Sequence, residues 1–84
     1  MQVSVYITLK SGVLDPEGET LKQSLNRLDF DEVSEVRVGK YLELNVKEDD
    51  ESRAVSRVEE MCESLLANPV IEDYRVELEA ERDS

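Results

Sequence analysis

The segment Val33-Ser-Glu-Val-Arg-Val-Gly-Lys-Tyr-Leu-Glu-Leu-Asn-Val-Lys47 decides how this chain can fold, because most of its apolar residues share one parity. A two-residue hairpin turn at Gly39-Lys40 would pair Val36 with Glu43 and mix apolar with polar side chains on one face, so the pattern rejects it. Two alternatives remain. A three-residue turn over residues 39–41 would pair Val38 with Leu42, or the strand runs straight through with a bend or bulge at Gly39. We favour the long bent strand, part of which would extend into a neighbouring subunit.

The first third of the chain predicts a strand followed by a helix. Gln2–Leu9 alternates apolar and polar residues, which is typical of a half-buried strand. Asp15 is placed as the N-cap of the helix and Pro16 as its first helical residue. The predicted apolar stripe of this helix consists of Leu14, Leu21, Leu25 and Leu28.

The last third of the chain predicts a second helix and a last strand. Asp49 and Asp50 offer N-caps, and Asn68-Pro69 ends the helix because proline cannot continue it. The last strand is expected over residues 70–79, with Tyr74, Val76 and Leu78 inward. The apolar stripe of the second helix consists of Val55, Val58, Met61, Cys62, Leu65 and Leu66.

This order of elements predicts an α+β fold, a two-layer sandwich with both helices on one face of an antiparallel sheet. It reads β-α-β-α-β if the middle strand is long and bent, and ferredoxin-like βαββαβ if that strand splits. We expect one domain over residues 1–84, with a frayed charged tail at 80–84.

Composition and charge narrow the classes of partner. The net charge is −11, from 21 acidic and 10 basic residues, and such a surface repels both nucleic acid and anionic membranes. No apolar run or basic leader suggests a membrane span or a signal peptide, so we expect a cytoplasmic protein. An 84-residue chain buries only a thin core and has one cysteine, hence no internal disulfide. We therefore expect oligomerisation, as a homodimer or a tetramer.

The sequence offers no catalytic residues and no metal site. Histidine, the commonest general base at neutral pH, is absent. Cys62 falls in an apolar stripe, where a thiol is usually inert packing. The glycines are too dispersed for a phosphate-binding loop, and there is no Cys/His cluster.

The face of the sheet opposite the helices is the predicted partner surface. Tyrosine and arginine are the residues that most often anchor interfaces, and both are expected on this face. Lys40 has the parity of the apolar face, so either the chain bends at Gly39 and carries the ammonium group to solvent or to another chain's carboxylate, or Lys40 lies at an exposed turn tip. The candidate interface residues are Tyr6, Arg37, Gly39, Lys40, Tyr41, Ile71 and Arg75.

Three segments in the same order and spacing resemble the PurS family, the small subunit of phosphoribosylformylglycinamidine synthase. They are Leu9-Lys-Ser-Gly-Val-Leu-Asp-Pro-Glu-Gly18, Val36-Arg-Val-Gly-Lys-Tyr-Leu-Glu-Leu44 and Leu65-Leu-Ala-Asn-Pro-Val-Ile-Glu-Asp-Tyr74. Besides Arg37, Gly39, Lys40 and Tyr41, the positions matched to the family motifs are Lys10, Asp15, Pro16, Gly18, Asn68, Glu72, Asp73 and Tyr74.

The resemblance implies a role in purine biosynthesis without catalysis by this chain. It implies an adaptor dimer that holds the glutaminase subunit PurQ against the synthetase subunit PurL, so that ammonia passes between them. It also implies that ATP and Mg²⁺ are used by the synthetase and that this chain holds no cofactor. The alternative is a small-molecule-binding regulatory module of the ACT type, for which Lys10-Ser-Gly-Val is a weak candidate loop.

Overall fold

The computed structural model describes residues 1–79. It contains strand β1 (Gln2–Leu9), helix α1 (Pro16–Arg27), strand β2 (Gly39–Asn45), helix α2 (Glu51–Met61) with a π-helical turn (Cys62–Leu66), and strand β3 (Glu72–Leu78). The predicted α+β class, with an antiparallel sheet and two helices, is confirmed. The tail predicted to fray, 80–84, lies outside the described residues.

The three strands form one antiparallel sheet in the order β2-β1-β3. The register places Val5 opposite both Leu42 and Val76, so these side chains share one face, which we call the helix-side face. Tyr6 lies opposite both Tyr41 and Arg75 on the other face, which we call the open face. The period of two along β1 therefore divides the sheet as the sequence predicts.

The alternative of a three-residue turn over residues 39–41 is not realised, because Gly39 and Tyr41 lie inside β2, opposite Thr8 and Tyr6. The strand is also shorter than the long strand that we favoured, since residues 33–38 have no regular secondary structure. The reason is local: the Val38 N–H donates to the Asp15 carboxylate at 2.9 Å rather than to β1. No fourth strand forms within residues 1–79, so the ferredoxin-like alternative is not realised in the part of the chain that the structure describes.

The core lies between β1 and helix α2. Val3, Val5 and Ile7 are at most 1% exposed, and Val58 and Cys62 pack against them fully buried. Burial, followed by the charges of Glu59 and Glu63, raises the pKa of the Cys62 thiol, which favours its neutral form. Cys62 is therefore packing, as predicted.

Helix α1 begins as predicted but does not join this core. Asp15 caps it by accepting from the Gly18 N–H at 2.9 Å, and Pro16 is in its first turn. Three of the four leucines of its apolar stripe nevertheless stay in solvent: Leu14 is 80% exposed, Leu21 45% and Leu28 67%, whereas Leu25 is half-buried. The prediction that this stripe packs on the sheet is wrong for the single chain, because α2 is the one of the two helices that packs on the helix-side face.

The second helix differs from the prediction at its end. A π-helical turn lets the Ala67 N–H donate to the Cys62 carbonyl at 2.9 Å, five residues back. The wider turn points Cys62 and Ala67 to the core and leaves Leu65 83% exposed. Leu65, predicted as core, is therefore a surface residue.

Candidate interaction surfaces

The centre of the open face is an aromatic pair covered by an arginine. The rings of Tyr6 and Tyr41 lie 5.0 Å apart between centroids, tilted by 48°. The guanidinium carbon of Arg75 sits 4.5 Å from the centroid of the Tyr6 ring, within the range of a cation–π interaction. Its Nε also lies 3.1 Å from a carboxylate oxygen of Glu77. Three predicted interface residues from three strands are thus brought together.

A chain of oxygen atoms crosses the open face beside this cluster. Ser4 Oγ donates to Glu79 at 2.6 Å and lies 3.2 Å from the hydroxyl of Tyr41, which donates to Glu43 at 3.0 Å. Ser4 taken alone lowers the pKa of Tyr41, but the hydrogen bond to Glu43, desolvation and the Glu43 charge together raise it. Ser4 is fully buried although its side chain is on the open face.

A second polar cluster joins α1 to the segment that precedes β2. The Asp15 carboxylate accepts from the N–H groups of both Gly18 and Val38, each at 2.9 Å. The hydrogen bond from the Val38 N–H, followed by the one from the Gly18 N–H, lowers the pKa of the Asp15 carboxyl group. Gly18 is buried, and a Cβ there would lie 2.8 Å from Asp15 Oδ2 and collide with the Val36 carbonyl, so a side chain is excluded. The family-motif positions Asp15, Pro16 and Gly18 thus join α1 to the segment that precedes β2.

Arg37 and Lys10 fasten the same region to the end of the sheet. Arg37 Nη2 donates to the carbonyls of Leu9 at 2.6 Å and Lys10 at 3.3 Å. Arg37 was predicted on the open face, but these bonds place its side chain at the end of the sheet instead. Lys10 Nζ lies 3.0 Å from Asp73, a pair that is largely exposed. A partner contact through Arg37 stays a prediction.

The third motif segment builds the turn between the π-helical turn and β3. The Asn68 side chain accepts from Val70 N–H at 3.1 Å, and Glu72 accepts from Asn68 N–H at 2.7 Å. The Tyr74 hydroxyl donates to Glu63 at 2.7 Å, and this bond, with desolvation and the Glu63 charge, raises the pKa of Tyr74 to about 12. Asn68, Glu72 and Tyr74 therefore have structural partners within the chain.

The remaining predicted interface residues lie at the edges of the sheet. Lys40 is opposite Ile7, as its parity predicts, and its side chain is exposed beside a cleft of about 450 Å³. Gly39 starts β2 where a Cβ would lie only 2.6 Å from the Ile7 carbonyl oxygen. Ile71 is in the turn before β3, and its carbonyl accepts from the Lys10 N–H at 2.8 Å. The structure does not join these residues to the aromatic cluster.

Sequence reasoning missed the roles of Ser4, Glu43 and Glu79. The alternating parity places all three on the open face, but parity alone does not show that their oxygen atoms form one chain. It also missed the exposed leucines of α1, for which the sequence holds no signal, because an amphipathic stripe looks the same whatever it packs against.

Residues 1–79 contain no group of three or more histidine, cysteine or acidic side chains arranged to hold a metal ion. No helix in that part of the chain is long and apolar enough to cross a membrane.

These features define a class: a small acidic α+β protein that presents an unpartnered helix and an open sheet face. Comparison with known proteins gives the particular family. The family described as "PurS: Phosphoribosylformylglycinamidine (FGAM) synthase" matches residues 2–80. The PurS subunit of phosphoribosylformylglycinamidine synthase from Bacillus subtilis is 50% identical over 78 residues, 93% of this chain and 92% of that protein. The chain therefore belongs to the PurS family.

Solved structures agree with this assignment. The crystal structure of Methanocaldococcus jannaschii PurS superposes with a TM-score of 0.85 at 44% identity, covering 96% of this chain and 98% of that one. A chain in the structure of PurLQS from Thermotoga maritima superposes with a TM-score of 0.83 at 34% identity, covering 90% of this chain and 93% of that one. The predicted family is confirmed, and with it the place of the chain as a subunit of a ligase in purine biosynthesis.

Proposed function

We propose that this chain is the noncatalytic adaptor of the phosphoribosylformylglycinamidine synthase complex, acting in the cytoplasm. It bridges the glutaminase subunit PurQ and the synthetase subunit PurL, so that ammonia released by the first reaches the second. ATP and Mg²⁺ are used by the synthetase subunit. The observation that carries this proposal is the likeness over nine-tenths of the chain to a chain of the Thermotoga maritima PurLQS structure.

The adaptor is a homodimer, and the exposed stripe of α1 supports this part of the proposal. Four large apolar side chains surround α1 in solvent: Leu14, Leu21, Leu28 and Phe30, the last 47% exposed. Large exposed apolar patches usually mark interaction sites. On the helix-side face, α2 contacts β1 and β3, while Leu42 and Leu44 of β2 are only partly buried. The α1 helix of a second copy covers that uncovered part of the sheet.

The free edge of β2 supports the same arrangement. Met1 and Val46 exchange backbone bonds at 2.8 Å, so alternate residues of β2 turn their N–H and C=O groups to β1 and the others turn away. The backbone N–H and C=O groups of Tyr41, Glu43 and Asn45 therefore point away from β1 at the edge of the sheet. Such a row of groups is a template for pairing with another strand. Residues 33–38 of the second copy pair with this edge about a two-fold axis, and the α1 helix of each copy thereby packs on the sheet of the other. The tetramer is then a pair of such dimers.

Reconstitution of activity tests the adaptor role. Purified PurQ and PurL from the same organism are assayed for glutamine-dependent synthesis of formylglycinamidine ribonucleotide, with and without this chain. We expect glutamine-dependent activity only when the chain is added, and activity with free ammonia in either case, because ammonia bypasses the transfer between subunits. Equal glutamine-dependent activity without the chain would refute the adaptor role.

A further inference from the structure

Lys40 is a cation on the helix-side face of the sheet. The register places it opposite Ile7, in line with Leu42 and Leu44 of the same strand, and its side chain is exposed. None of the ion pairs in the described part of the chain involves Lys40. When a second copy covers Leu42 and Leu44, as proposed above, the ammonium group loses water and needs a carboxylate as partner.

The segment before β2, residues 33–38, leaves backbone groups free for pairing. Val38 turns its N–H to the Asp15 carboxylate of its own chain, at 2.9 Å. Backbone groups alternate in direction along an extended segment, so those of Glu35 and Arg37 are expected to turn the opposite way. Neither residue has a backbone–backbone hydrogen bond within the described part of the chain. Their groups therefore continue the outward row that begins at Tyr41 on the edge of β2.

One register pairs this whole segment with the β2 strand of another copy. The pairing is antiparallel about a two-fold axis, and it sets odd-numbered residues opposite odd-numbered ones, so that the apolar side chains share the helix-side face. The register that keeps all six residues of the segment within β2 puts Val38 of the second copy opposite Lys40. That Val38 is bonded to Asp15, the N-cap of its own α1. The first turn of the second copy's α1 therefore lies beside Lys40.

Glu17 is the carboxylate of that turn placed to face the sheet of the other copy. It lies three residues after Leu14 and four before Leu21, so it neighbours both leucines of the exposed stripe on the helix surface. Glu19 lies two residues before Leu21, and therefore on a different side of the helix. Asp15 already accepts from two backbone N–H groups. Among residues 1–79, none of the ion pairs involves Glu17.

The geometry points to an ion pair between Lys40 of one copy and Glu17 of the other, formed twice about the two-fold axis of the dimer. The inference rests on the dimer proposed above, and it names the charged contact that fixes the register in which the two copies join. The second copy is complementary in both respects: its leucine stripe meets the apolar residues of β2, and the glutamate beside that stripe meets the lysine in line with them. Within one chain, Glu17 and Lys40 line the same cleft of about 450 Å³ without forming an ion pair.

The test is a charge exchange between two variants, Lys40→Glu and Glu17→Lys, both at exposed positions. Each homodimer then holds two contacts between like charges, so each variant is expected to dimerise about tenfold or more weakly than the parent. Mixed in equal amounts, the two variants form a heterodimer in which both contacts again join opposite charges. A pair within one chain gives no such recovery, because each chain keeps its own like charges. The two variants carry different mass tags, and native mass spectrometry counts the three dimers.

We expect the heterodimer to exceed the two homodimers together by about fivefold, whereas random mixing gives equal amounts. The matched control mixes Lys40→Glu with Glu19→Lys, which has the same net charges but places the lysine away from the stripe, and it is expected to mix at random. Circular dichroism first establishes that each variant is folded. A first mixture that gives no more heterodimer than the control overturns the ion pair, although the dimer stands. If the parent is monomeric at every concentration, the proposed dimer fails and this inference fails with it.

Discussion

The exposed stripe of α1 predicts that Leu28→Ala weakens the dimer more than it destabilises the isolated chain. Leu28 is 67% exposed, so about one third of its side chain is buried within one chain. Full burial of a leucine contributes about 2.4 kcal/mol, and the change therefore costs the isolated chain about 0.8 kcal/mol. If a second copy covers the other two thirds, each copy loses about 1.6 kcal/mol and the dimer about 3.2 kcal/mol. At about 1.4 kcal/mol for each factor of ten, the dissociation constant of the dimer rises roughly 200-fold.

Sedimentation equilibrium over a wide range of protein concentration measures this constant directly. The matched control is Leu65→Ala, which truncates the same residue type at a position 83% exposed and remote in sequence from α1. The control is expected to dimerise within threefold of the parent. The reasoning is refuted if Leu28→Ala also dimerises within threefold of the parent, or if the parent is monomeric at every concentration.

Three other predictions concern the fold itself. Val58→Ala removes two methyl groups from a fully buried site and should lower the free energy of unfolding by about 2.5 kcal/mol, whereas Leu65→Ala should change it by less than about 0.5 kcal/mol in urea denaturation; equal losses would contradict the placement of Leu65 outside the core. The pKa of Asp15 is lowered by the Val38 and Gly18 N–H groups, so its contribution to stability is complete above the unfolded value of about 3.9 and is lost as pH falls through the folded value. Asp15→Asn should therefore lose less melting temperature than the parent between pH 5 and 3, and an identical acid dependence would count against this. The pKa of Tyr74 is raised to about 12, so its hydrogen bond stabilises the fold below about pH 10 and is lost as pH rises through 12. Absorbance at about 295 nm should show that ionisation near pH 12, moving down in Glu63→Gln; an unmoved transition would exclude the bond.

Much of the fold follows from local patterns that tertiary structure did not overrule. The alternation in β1 and the capping residues Asp15 and Asp50 gave the strand and both helix starts within one or two residues. The inward face of β1 was also predicted, because one strand at the centre of a sheet has few alternative ways to bury Val3, Val5 and Ile7. Parity also placed Tyr6, Tyr41 and Arg75 on one face, but it did not show that they form a cluster.

The errors came where a pattern fits more than one environment. The stripe of α1 indicates an apolar partner but not whether that partner is in the same chain. The parity of residues 33–47 excluded a two-residue turn, yet it could not show that Asp15 accepts from the Val38 N–H, so that β2 begins only at Gly39. Leu65 lies outside the core because the chain forms a π-helical turn there. That turn changes the number of residues per turn, which the pattern of apolar residues does not show.

The sequence by itself determined the order of the elements, the two faces of the sheet, and membership of the PurS family, because periodicity, capping and motif spacing are properties of neighbouring residues. Only the tertiary structure decided which surfaces are left without a partner. It set α1 away from the sheet, left the outer edge of β2 without a neighbouring strand among residues 1–79, and brought Ser4, Tyr41, Glu43 and Glu79 into one chain of oxygen atoms. The physical reason is that exposure and hydrogen-bond saturation depend on residues that are distant in sequence, so neither is fixed until the strands are paired.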